Sequence, residues 1–424
     1  MGMRHASAAV LTFLACSGLV PSVLPQHPAE AAPMSRAEAR RQAAELASLG
    51  HDMFYDASLS QSGKLSCSTC HSLDHAFGPP NDLAVQLGGG DMRQPGLRAV
   101  PSLKYLQAVP QFTEHFFDNE DDADESVDNG PSGGLMWDGR ADSGHAQAAF
   151  PLLSPFEMGN GEPGQMVSRA LAAGYGPRLQ AIYGRQVLDS RDAAFEGFMR
   201  AFEAFEQDHR SFYPYSSKYD AYLDGTAELT PQEARGLDLF NDPDKGNCAA
   251  CHISQRGNDG TPPQFSDFGL IAIGVPRNSD IPANADPAWH DLGLCGPLRT
   301  DFTDRPDYCG LFRTPTLRNV ATRRTFFHNG VFHELRKVVE FYVQRDTNPE
   351  RWYPRNADGT VRKFDDLPAE YHANINTEPP FDRQLGDKPA LSDAEIDDVV
   401  AFLQTLTDGY ALAGRPDTSS GGGQ

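Results

Sequence analysis

The residues best suited to chemistry form two short motifs of cysteine and histidine. Residues 67–71 read Cys-Ser-Thr-Cys-His, and residues 248–252 read Cys-Ala-Ala-Cys-His. Two thiols about one helical turn apart can each bond to a vinyl group of one haem, and the imidazole that follows can bind the iron. The motifs therefore predict two covalently bound haem c groups, here called haem one and haem two.

Each motif supplies a complete set of attachment and ligand residues. The set predicted for haem one is Cys67, Cys70 and His71, and the set predicted for haem two is Cys248, Cys251 and His252. The alternatives are a redox dithiol and half of a zinc site. A dithiol does not require histidine at the next position in both copies, and a zinc site requires further Cys/His pairs that the sequence lacks.

The sequence offers different candidates for the opposite face of each iron. All nine methionines lie at or before Met199, so haem two cannot take a methionine ligand from its own half of the chain. Its candidates are a tyrosine and the histidines His290, His328, His333 and His372. For haem one, a glycine-rich stretch at residues 88–90 precedes the next suitable histidine, His115. The sequence therefore predicts an open site at haem one, of the kind that peroxide requires.

Charge and composition limit the classes of partner. The 424 residues carry 36 Lys and Arg against 58 Asp and Glu, a net charge of −22. This excess of acid argues against nucleic acid as a partner and favours a cationic or neutral one. Only 39% of the residues are apolar, so two macrocycles filling part of the core would fit the composition.

The first residues have the pattern of an export signal. A basic residue, Arg4, precedes an apolar run at residues 6–20 and a small-x-small cleavage site at residues 29–31. We therefore predict a signal peptide at residues 1–31, with lipidation of Cys16 as the alternative. No later stretch reaches the ~18 apolar residues that a membrane span requires. The polar end, residues 415–424, predicts a disordered tail.

Helix-start signals recur along the chain. Ser35 with Glu38 predicts one helix start, and Ser392 with Glu395 predicts the last one. A third start, with Thr, Pro and Glu at residues 230–233, precedes the second Cys-x-x-Cys-His motif as the first start precedes the first motif. The repeat predicts two duplicated helical domains, residues 35–220 and 226–410, and no sustained alternation predicts more than a few short strands.

The two cysteines outside the motifs are Cys295 and Cys309. In an oxidising compartment such a pair favours a disulfide that closes a loop, worth ~3 kcal/mol in the chain-entropy estimate.

Several segments resemble the bacterial dihaem cytochrome c peroxidase/MauG family. They are both haem motifs, Met-Trp-Asp-Gly-Arg-Ala at 136–141, Ser-Pro-Phe-Glu-Met at 154–158, Phe-Arg-Thr-Pro-Thr-Leu-Arg-Asn-Val at 312–320 and Phe-His-Asn-Gly at 327–330. The resemblance covers nearly the whole mature chain. It implies a mainly α fold of two cytochrome c-like domains, each with one covalently bound haem, in a periplasmic protein.

The resemblance also assigns roles to single residues. Trp137 falls where the family places a tryptophan between the haems. Gln147 and Glu157 match its distal glutamine and its acid/base glutamate, and Pro151 matches a proline that lines the same pocket in MauG. Tyr342 falls at the family's methionine ligand of haem two, which is the MauG pattern.

The chemistry that this implies is reduction of hydrogen peroxide at haem one. Glu157 would take a proton from one peroxide oxygen and return it to the other, while Gln147 orients the ligand. Such acid/base help is typically worth ~10²–10⁴-fold. The electrons would come from a small cytochrome or a cupredoxin. The alternatives are a MauG-like oxidase that modifies a tryptophan of a partner protein, and a non-enzymatic electron carrier.

The chain departs from the family in two places. Ala99 and residues 323–325, Arg-Arg-Thr, replace residues that bind the family's interdomain calcium, which counts against calcium here. Gly246 replaces the surface tryptophan through which MauG oxidises its protein substrate. If this chain oxidises a protein, the oxidising equivalents must leave through a different residue. Trp352 and Trp289 are the remaining tryptophans, and each has either a structural or an exit role.

Residues 118–128 hold seven acids. The run predicts a solvated loop, a docking patch for a basic electron donor, or an ion site without the EF-hand spacing.

Overall fold

The structure is a computed structural model that describes residues 34–114 and 130–411. The predicted signal peptide at 1–31, the acidic run at 118–128 and the predicted tail at 415–424 lie outside the described residues. The described residues from Arg41 onward group into one compact unit. No helix in the described ranges is long and apolar enough to cross a membrane.

The described residues are mainly helical, as predicted. The α-helices are α1 (Arg36–Phe54), α2 (Cys67–Cys70), α3 (Gly144–Leu153), α4 (Pro163–Ala172), α5 (Gly176–Tyr183), α6 (Arg191–Glu206), α7 (His209–Phe212), α8 (Lys218–Leu223), α9 (Pro231–Asn241), α10 (Leu335–Gln344) and α11 (Asp393–Gln404). Short 3₁₀ turns join many of them. The predicted helix starts are confirmed at α1, α9 and α11, where the Ser or Thr side chain accepts a hydrogen bond from the backbone of the predicted Glu.

The strands are few and short, which confirms that prediction. They form three two-stranded antiparallel sheets, and each strand has two residues. The strands are β1 (Leu87–Gly88) with β2 (Gln94–Pro95), β3 (Thr113–Glu114) with β4 (Pro131–Ser132), and β5 (Leu270–Ile271) with β6 (Phe312–Arg313).

A glycine lets two helices cross closely in each half of the chain. A Cβ built on Gly50 of α1 would lie 1.8 Å from the carbonyl oxygen of Ala201 in α6. A Cβ built on Gly236 of α9 would lie 2.0 Å from the carbonyl oxygen of Asp398 in α11. In each half, the helix that precedes the Cys-x-x-Cys-His motif therefore crosses a later helix closely, in agreement with the repeat in the sequence.

Two apolar cores accompany these crossings. One consists of buried residues between Leu49 and Phe212, and the other of buried residues between Tyr219 and Leu406. The change from one core to the other falls near the predicted boundary. The division into domains at residues 35–220 and 226–410 stays a prediction, because the described chain from Arg41 onward is one compact unit.

The predicted disulfide is confirmed. Cys295 and Cys309 are bonded, both are buried, and they belong to a third apolar cluster with Leu294, Tyr308 and Leu311.

We expect Gly236→Ala to destabilise the protein. Alanine in a helix interior normally adds up to about 1 kcal/mol of stability relative to glycine. Here its methyl group would meet a backbone carbonyl 2.0 Å away, and overpacking of this kind typically costs ~1–3 kcal/mol. Urea unfolding should therefore show a lower free energy of unfolding. Gly130→Ala, whose Cβ meets nothing within 4 Å, is the control, and equal stability of the two variants would contradict the close crossing.

Candidate active site

Both cysteine motifs fold into a single tight turn. In the first, α2 places the backbone N–H of His71 2.9 Å from the carbonyl oxygen of Cys67. In the second, a 3₁₀ turn over Cys248–Ala250 places the N–H of His252 2.8 Å from the carbonyl oxygen of Cys248. Each turn therefore brings the thiols and the imidazole together, as covalent haem attachment with a neighbouring histidine ligand requires.

The two histidines are oriented by the same hydrogen bond. Nδ1 of His71 donates to the carbonyl oxygen of Phe77, and Nδ1 of His252 donates to that of Phe265, both over 2.9 Å. Both phenylalanines are buried and have left-handed backbones, with φ of 52° and 53°. A proton held on Nδ1 leaves the lone pair of Nε2 available for a metal.

Burial keeps both imidazoles neutral. It lowers the pKa of His71 to about 4 and that of His252 to about 4, although the hydrogen bonds to the phenylalanine carbonyls oppose the shift. A neutral imidazole is the form that binds a metal ion. Near pH 7, both side chains are therefore ready to act as iron ligands.

A deep cavity adjoins the second motif. Cys248, Cys251 and His252 line it, and so does Tyr342 of α10. Apolar side chains make up most of the remaining wall, among them Phe240, Val275, Leu317, Phe326, Phe327, Val339 and Leu403. Burial raises the pKa of Tyr342, and nearby Cys251 and Cys248 add to the shift. The phenol therefore stays protonated unless a cation binds its oxygen.

The histidine candidates for the second ligand of haem two differ in whether they line this cavity. His290, His333 and His372 each bond to a backbone carbonyl oxygen and do not line the cavity. His328 lines it, but its ring stacks on Phe312 with centroids 3.5 Å apart. Tyr342 and His328 are thus the two predicted candidates that the structure brings to the cavity that the second motif lines.

The wall of this cavity also fits the acidic groups of a haem. Arg313 is buried and lines the cavity, and its Nε donates to the carbonyl oxygen of Met136. Burial lowers its pKa to about 10, while Asp138 opposes the shift. Among the described residues no carboxylate lies within salt-bridge distance of this guanidinium. A buried cation of this kind suits an anionic propionate.

Trp137 lies in the wall of the same cavity, together with His75 and Ala76, which follow the first motif. Its indole Nε1 donates to the carbonyl oxygen of Ala99 over 2.8 Å, and its own carbonyl accepts from the N–H of Arg313 over 2.8 Å. Backbone from both halves of the sequence therefore holds Trp137, consistent with the predicted position between the haems.

A buried ion-pair network fixes the residue that follows Trp137. Asp138 has no exposed surface, and its carboxylate accepts hydrogen bonds from Arg98 and Arg140. Burial favours the neutral acid, but the two guanidinium groups hold the pKa of Asp138 below its usual value. Arg98 also makes two hydrogen bonds to Asp291. Because removing one partner of a buried pair costs ~3–5 kcal/mol, the network strongly restricts the backbone next to Trp137.

The three predicted distal residues lie on or just after α3. Gln147 and Pro151 are in the helix, and the buried amide of Gln147 donates through Nε2 to Sδ of Met136 over 3.5 Å. Glu157 follows the helix and is exposed at the surface. Desolvation by the protein atoms around its carboxyl group still raises its pKa, and Ser154 and Arg140 partly oppose that shift.

Glu157 interacts electrostatically with the first motif. Its negative charge adds to the effect of burial, which raises the pKa of the Cys70 thiol to about 12. The glycine-rich stretch packs directly on its backbone: the N–H of Gly89 donates to the carbonyl oxygen of Glu157 over 2.7 Å. A Cβ on Gly88 would lie 2.3 Å from the carbonyl oxygen of Phe156. A residue with a side chain does not fit at Gly88.

Arg323 links the two segments in which this chain differs from the family's calcium site. Arg323 donates to the carbonyl oxygens of Val100 and Thr325, both over 3.1 Å. Whether calcium is bound stays a prediction.

Sequence reasoning missed four contributors to this arrangement. The carbonyls of Phe77 and Phe265 depend on left-handed backbones, which nothing in the residue type signals. Arg313 lies in a segment that the sequence analysis used only as a family marker. The position of Met136 directly before Trp137 was the one sign in the sequence that it lies near the site. Its contact with Gln147 could not be predicted, because that contact depends on how α3 packs.

The helical fold and the paired motifs are those expected of a haem protein of the cytochrome c type. A family model described as di-haem cytochrome c peroxidase matches residues 44–228. Among curated proteins, the methylamine utilization protein MauG of Paracoccus denitrificans is 32% identical over 375 residues, which cover 86% of this chain and 88% of the relative. The chain belongs to the dihaem cytochrome c peroxidase and MauG family.

Two further comparisons agree. The cytochrome c551 peroxidase of Pseudomonas aeruginosa is 28% identical and covers 69% of each chain. The crystal structure of the diheme peroxidase BthA from Burkholderia thailandensis is 40% identical, with a TM-score of 0.74 over 86% of each chain. The predicted family and the predicted enzyme class, an oxidoreductase acting on peroxide, are confirmed.

We expect Arg313→Gln to lower the reduction potential of haem two in the holoprotein. A buried cation stabilises the reduced haem, which carries one more negative charge than the oxidised haem. Redox titration followed by visible absorbance measures this potential. Arg313→Lys, which keeps the charge, is the control. A potential that is equal in all three proteins would exclude Arg313 from the haem site.

Proposed function

We propose that this protein is a periplasmic peroxidase that reduces hydrogen peroxide with electrons from a small cytochrome or a cupredoxin. It would carry two covalently bound haem c groups, on Cys67 and Cys70 with His71 as ligand, and on Cys248 and Cys251 with His252 as ligand. The proposal rests on the contact between the glycine-rich stretch and Glu157. Residues 88–90 have no side chains and pack on the backbone of residues 155–157, so this stretch places no side chain beside the distal carboxylate.

When bound, haem one would supply an iron with an open position at which the peroxide O–O bond is broken. The protein supplies the proton chemistry. Glu157 takes a proton from the peroxide oxygen nearer the iron and returns it to the departing oxygen, which leaves as water. Because burial raises its pKa, the carboxyl group holds this proton more readily than a solvated glutamate does.

Gln147 and Pro151 shape the position of the peroxide. Since Nε2 of Gln147 already donates to Met136, its amide oxygen remains to accept a hydrogen bond from the peroxide. Pro151 contributes a rigid ring to the same helix, four residues further on. Both residues then favour one orientation of the substrate, which is how positioning lowers a reaction barrier.

Trp137 and Tyr342 would take part in electron transfer. Trp137 lines the cavity of haem two and is held by backbone from both halves, so it can relay electrons between the haems. Tyr342 and His252, which line the same cavity, would hold the iron of haem two. An anionic oxygen ligand favours the oxidised metal.

The second candidate function is oxidation of a tryptophan in a partner protein, as in MauG. Tyr342 in the cavity wall and the 32% identity to a MauG protein favour it. The relatives include proteins of both names, and both functions use the same distal residues.

We expect Glu157→Gln to slow the reaction of the ferric holoprotein with hydrogen peroxide by about 10²–10⁴-fold, because the amide cannot shuttle a proton. Stopped-flow absorbance measures this rate. Since the pKa of Glu157 is raised above 4.5, the wild-type rate should fall on acidification through a pKa above 4.5, as the base becomes protonated. The variant should lose that acid limb. Glu162→Gln, at an exposed acid nearby, is the control, and an unchanged rate in Glu157→Gln would contradict the assigned role.

We expect Tyr342→Met to raise the reduction potential of haem two, since a neutral thioether replaces an anionic oxygen. The control is Tyr222→Phe, at an exposed tyrosine, and the potential is measured by redox titration. An unchanged potential in Tyr342→Met would remove Tyr342 as a ligand and would favour His328, which lines the same cavity.

A further inference from the structure

Residues 101–105, here called the first support segment, hold the acceptor of the His71 hydrogen bond. They read Pro-Ser-Leu-Lys-Tyr. The N–H of Leu103 donates to the carbonyl oxygen of Phe77 over 3.2 Å, so this oxygen accepts from both Leu103 and His71. The hydroxyl of Ser102 donates to the carbonyl oxygen of the residue before Phe77 over 2.5 Å. The segment therefore fixes the carbonyl group that orients His71.

Residues 315–319, here called the second support segment, do the same for His252. They read Pro-Thr-Leu-Arg-Asn. The N–H of Leu317 donates to the carbonyl oxygen of Phe265 over 3.3 Å, so this oxygen accepts from both Leu317 and His252. The hydroxyl of Thr316 donates to the carbonyl oxygen of the residue before Phe265 over 2.6 Å. The proline, the hydroxyl residue, the leucine and the basic residue thus have the same order in both support segments.

The backbones of the two support segments also match. The last residue of each, Tyr105 or Asn319, is left-handed, with φ of 63° and 62°. A 3₁₀ turn follows each of them, over Leu106–Ala108 and over Val320–Thr322. The two support segments are therefore copies of one structural unit, and each copy is attached to one motif histidine.

A single carboxylate joins the two copies. Asp408 accepts hydrogen bonds from Nζ of Lys104 over 2.9 Å and from the phenol of Tyr105 over 2.6 Å. It also accepts from Nδ2 of Asn319 over 2.7 Å, and its own N–H donates to Oδ1 of Asn319 over 2.9 Å. Its side chain is only 8% exposed. Asp408 therefore bonds to both support segments in a place that is largely shielded from solvent.

The two support segments also pack on each other. The guanidinium of Arg318, in the second segment, lies over the ring of Tyr105 at 4.8 Å and over the ring of Phe265 at 5.8 Å. It is held there by two hydrogen bonds of 2.9 Å to the carboxylate of Asp220. A displacement of one segment therefore cannot occur without a change in its contacts with the other.

We propose that Asp408 is a positioning residue that couples the hydrogen bonds of His71 and His252. The inference rests on the proposed function, in which these two histidines bind the irons. Each acceptor carbonyl is shared between a histidine and a support segment, so a displacement of the segment changes the hydrogen bond that the histidine donates. That bond sets how much electron density the imidazole gives to the iron. Asp408 passes the displacement to the other segment, and a change in bonding at one iron reaches the ligand of the other.

Two variants without a change of charge test the coupling. Tyr105→Phe removes the phenol that bonds to Asp408 on the first side. Asn319→Gly removes the amide that bonds to it on the second side, and glycine accepts the left-handed backbone there. Asn319→Gly is the more decisive variant, because it alters the second support segment and the measurement is made on haem one.

The measurement is resonance Raman spectroscopy of the ferrous holoprotein, in which the iron–histidine stretching band reports on the ligand of haem one. When the first segment is released, the carbonyl of Phe77 accepts less from Leu103 and more from His71, which strengthens the imidazole as a donor. We expect the band to move to higher frequency in both variants. In the double variant it should move by less than the sum of the two single shifts, because both act through Asp408.

Asn247→Gly is the matched control. Asn247 also has a left-handed backbone, with φ of 47°, and it lies directly before Cys248 of the second motif. Its side-chain amide donates to the carbonyl oxygen of Pro379 over 2.8 Å instead of to Asp408. This variant disturbs the surroundings of haem two and should leave the band of haem one at its wild-type frequency.

Three results would overturn the proposal: an unchanged band in Asn319→Gly, an equal shift in Asn247→Gly, and fully additive shifts in the double variant. If the wild type has no iron–histidine band because haem one has ligands on both faces, the open site of the proposed function is contradicted. The reduction potential of haem one then tests the coupling in the same proteins. It should fall in Asn319→Gly, since a stronger donor favours the oxidised iron, and a potential equal to that of the wild type would overturn the coupling.

Discussion

The hydrogen bond from each motif histidine to a phenylalanine carbonyl is the constraint on which the rest of the site depends. It fixes the proton on Nδ1, and so it decides which nitrogen of the ring can bind iron. In both halves the acceptor, Phe77 or Phe265, has a left-handed backbone and is buried in an apolar core. The site therefore depends on aromatic packing several residues away from the metal-binding motif.

Burial favours the neutral form of the ionisable groups at both predicted haem sites. It removes charge from the histidines and from Tyr342, so these groups are neutral until a metal binds. It also raises the pKa of Glu157, which suits a group that must accept and return a proton. Where charge is retained, as at Asp138, paired guanidinium groups stabilise it and hold Trp137 in place. The same apolar surroundings thus prepare both the ligands and the proton carrier.

Local spacing signals predicted much of the fold and part of the site. The helix starts at Thr230 and Ser392, the disulfide and the scarcity of strands follow from short patterns, and the structure confirms them. Contacts between distant segments were not predictable in this way. The cation at Arg313 and the link from Gln147 to Met136 require the packing of the whole chain.

The central claim is that haem one has an open iron position beside Glu157 while haem two has ligands on both faces. Electron paramagnetic resonance of the ferric holoprotein tests it most directly, because an iron with an open position is high-spin and a fully ligated iron with strong ligands is low-spin. We expect one high-spin and one low-spin signal of equal intensity. Two low-spin signals, with no high-spin iron, would contradict the account.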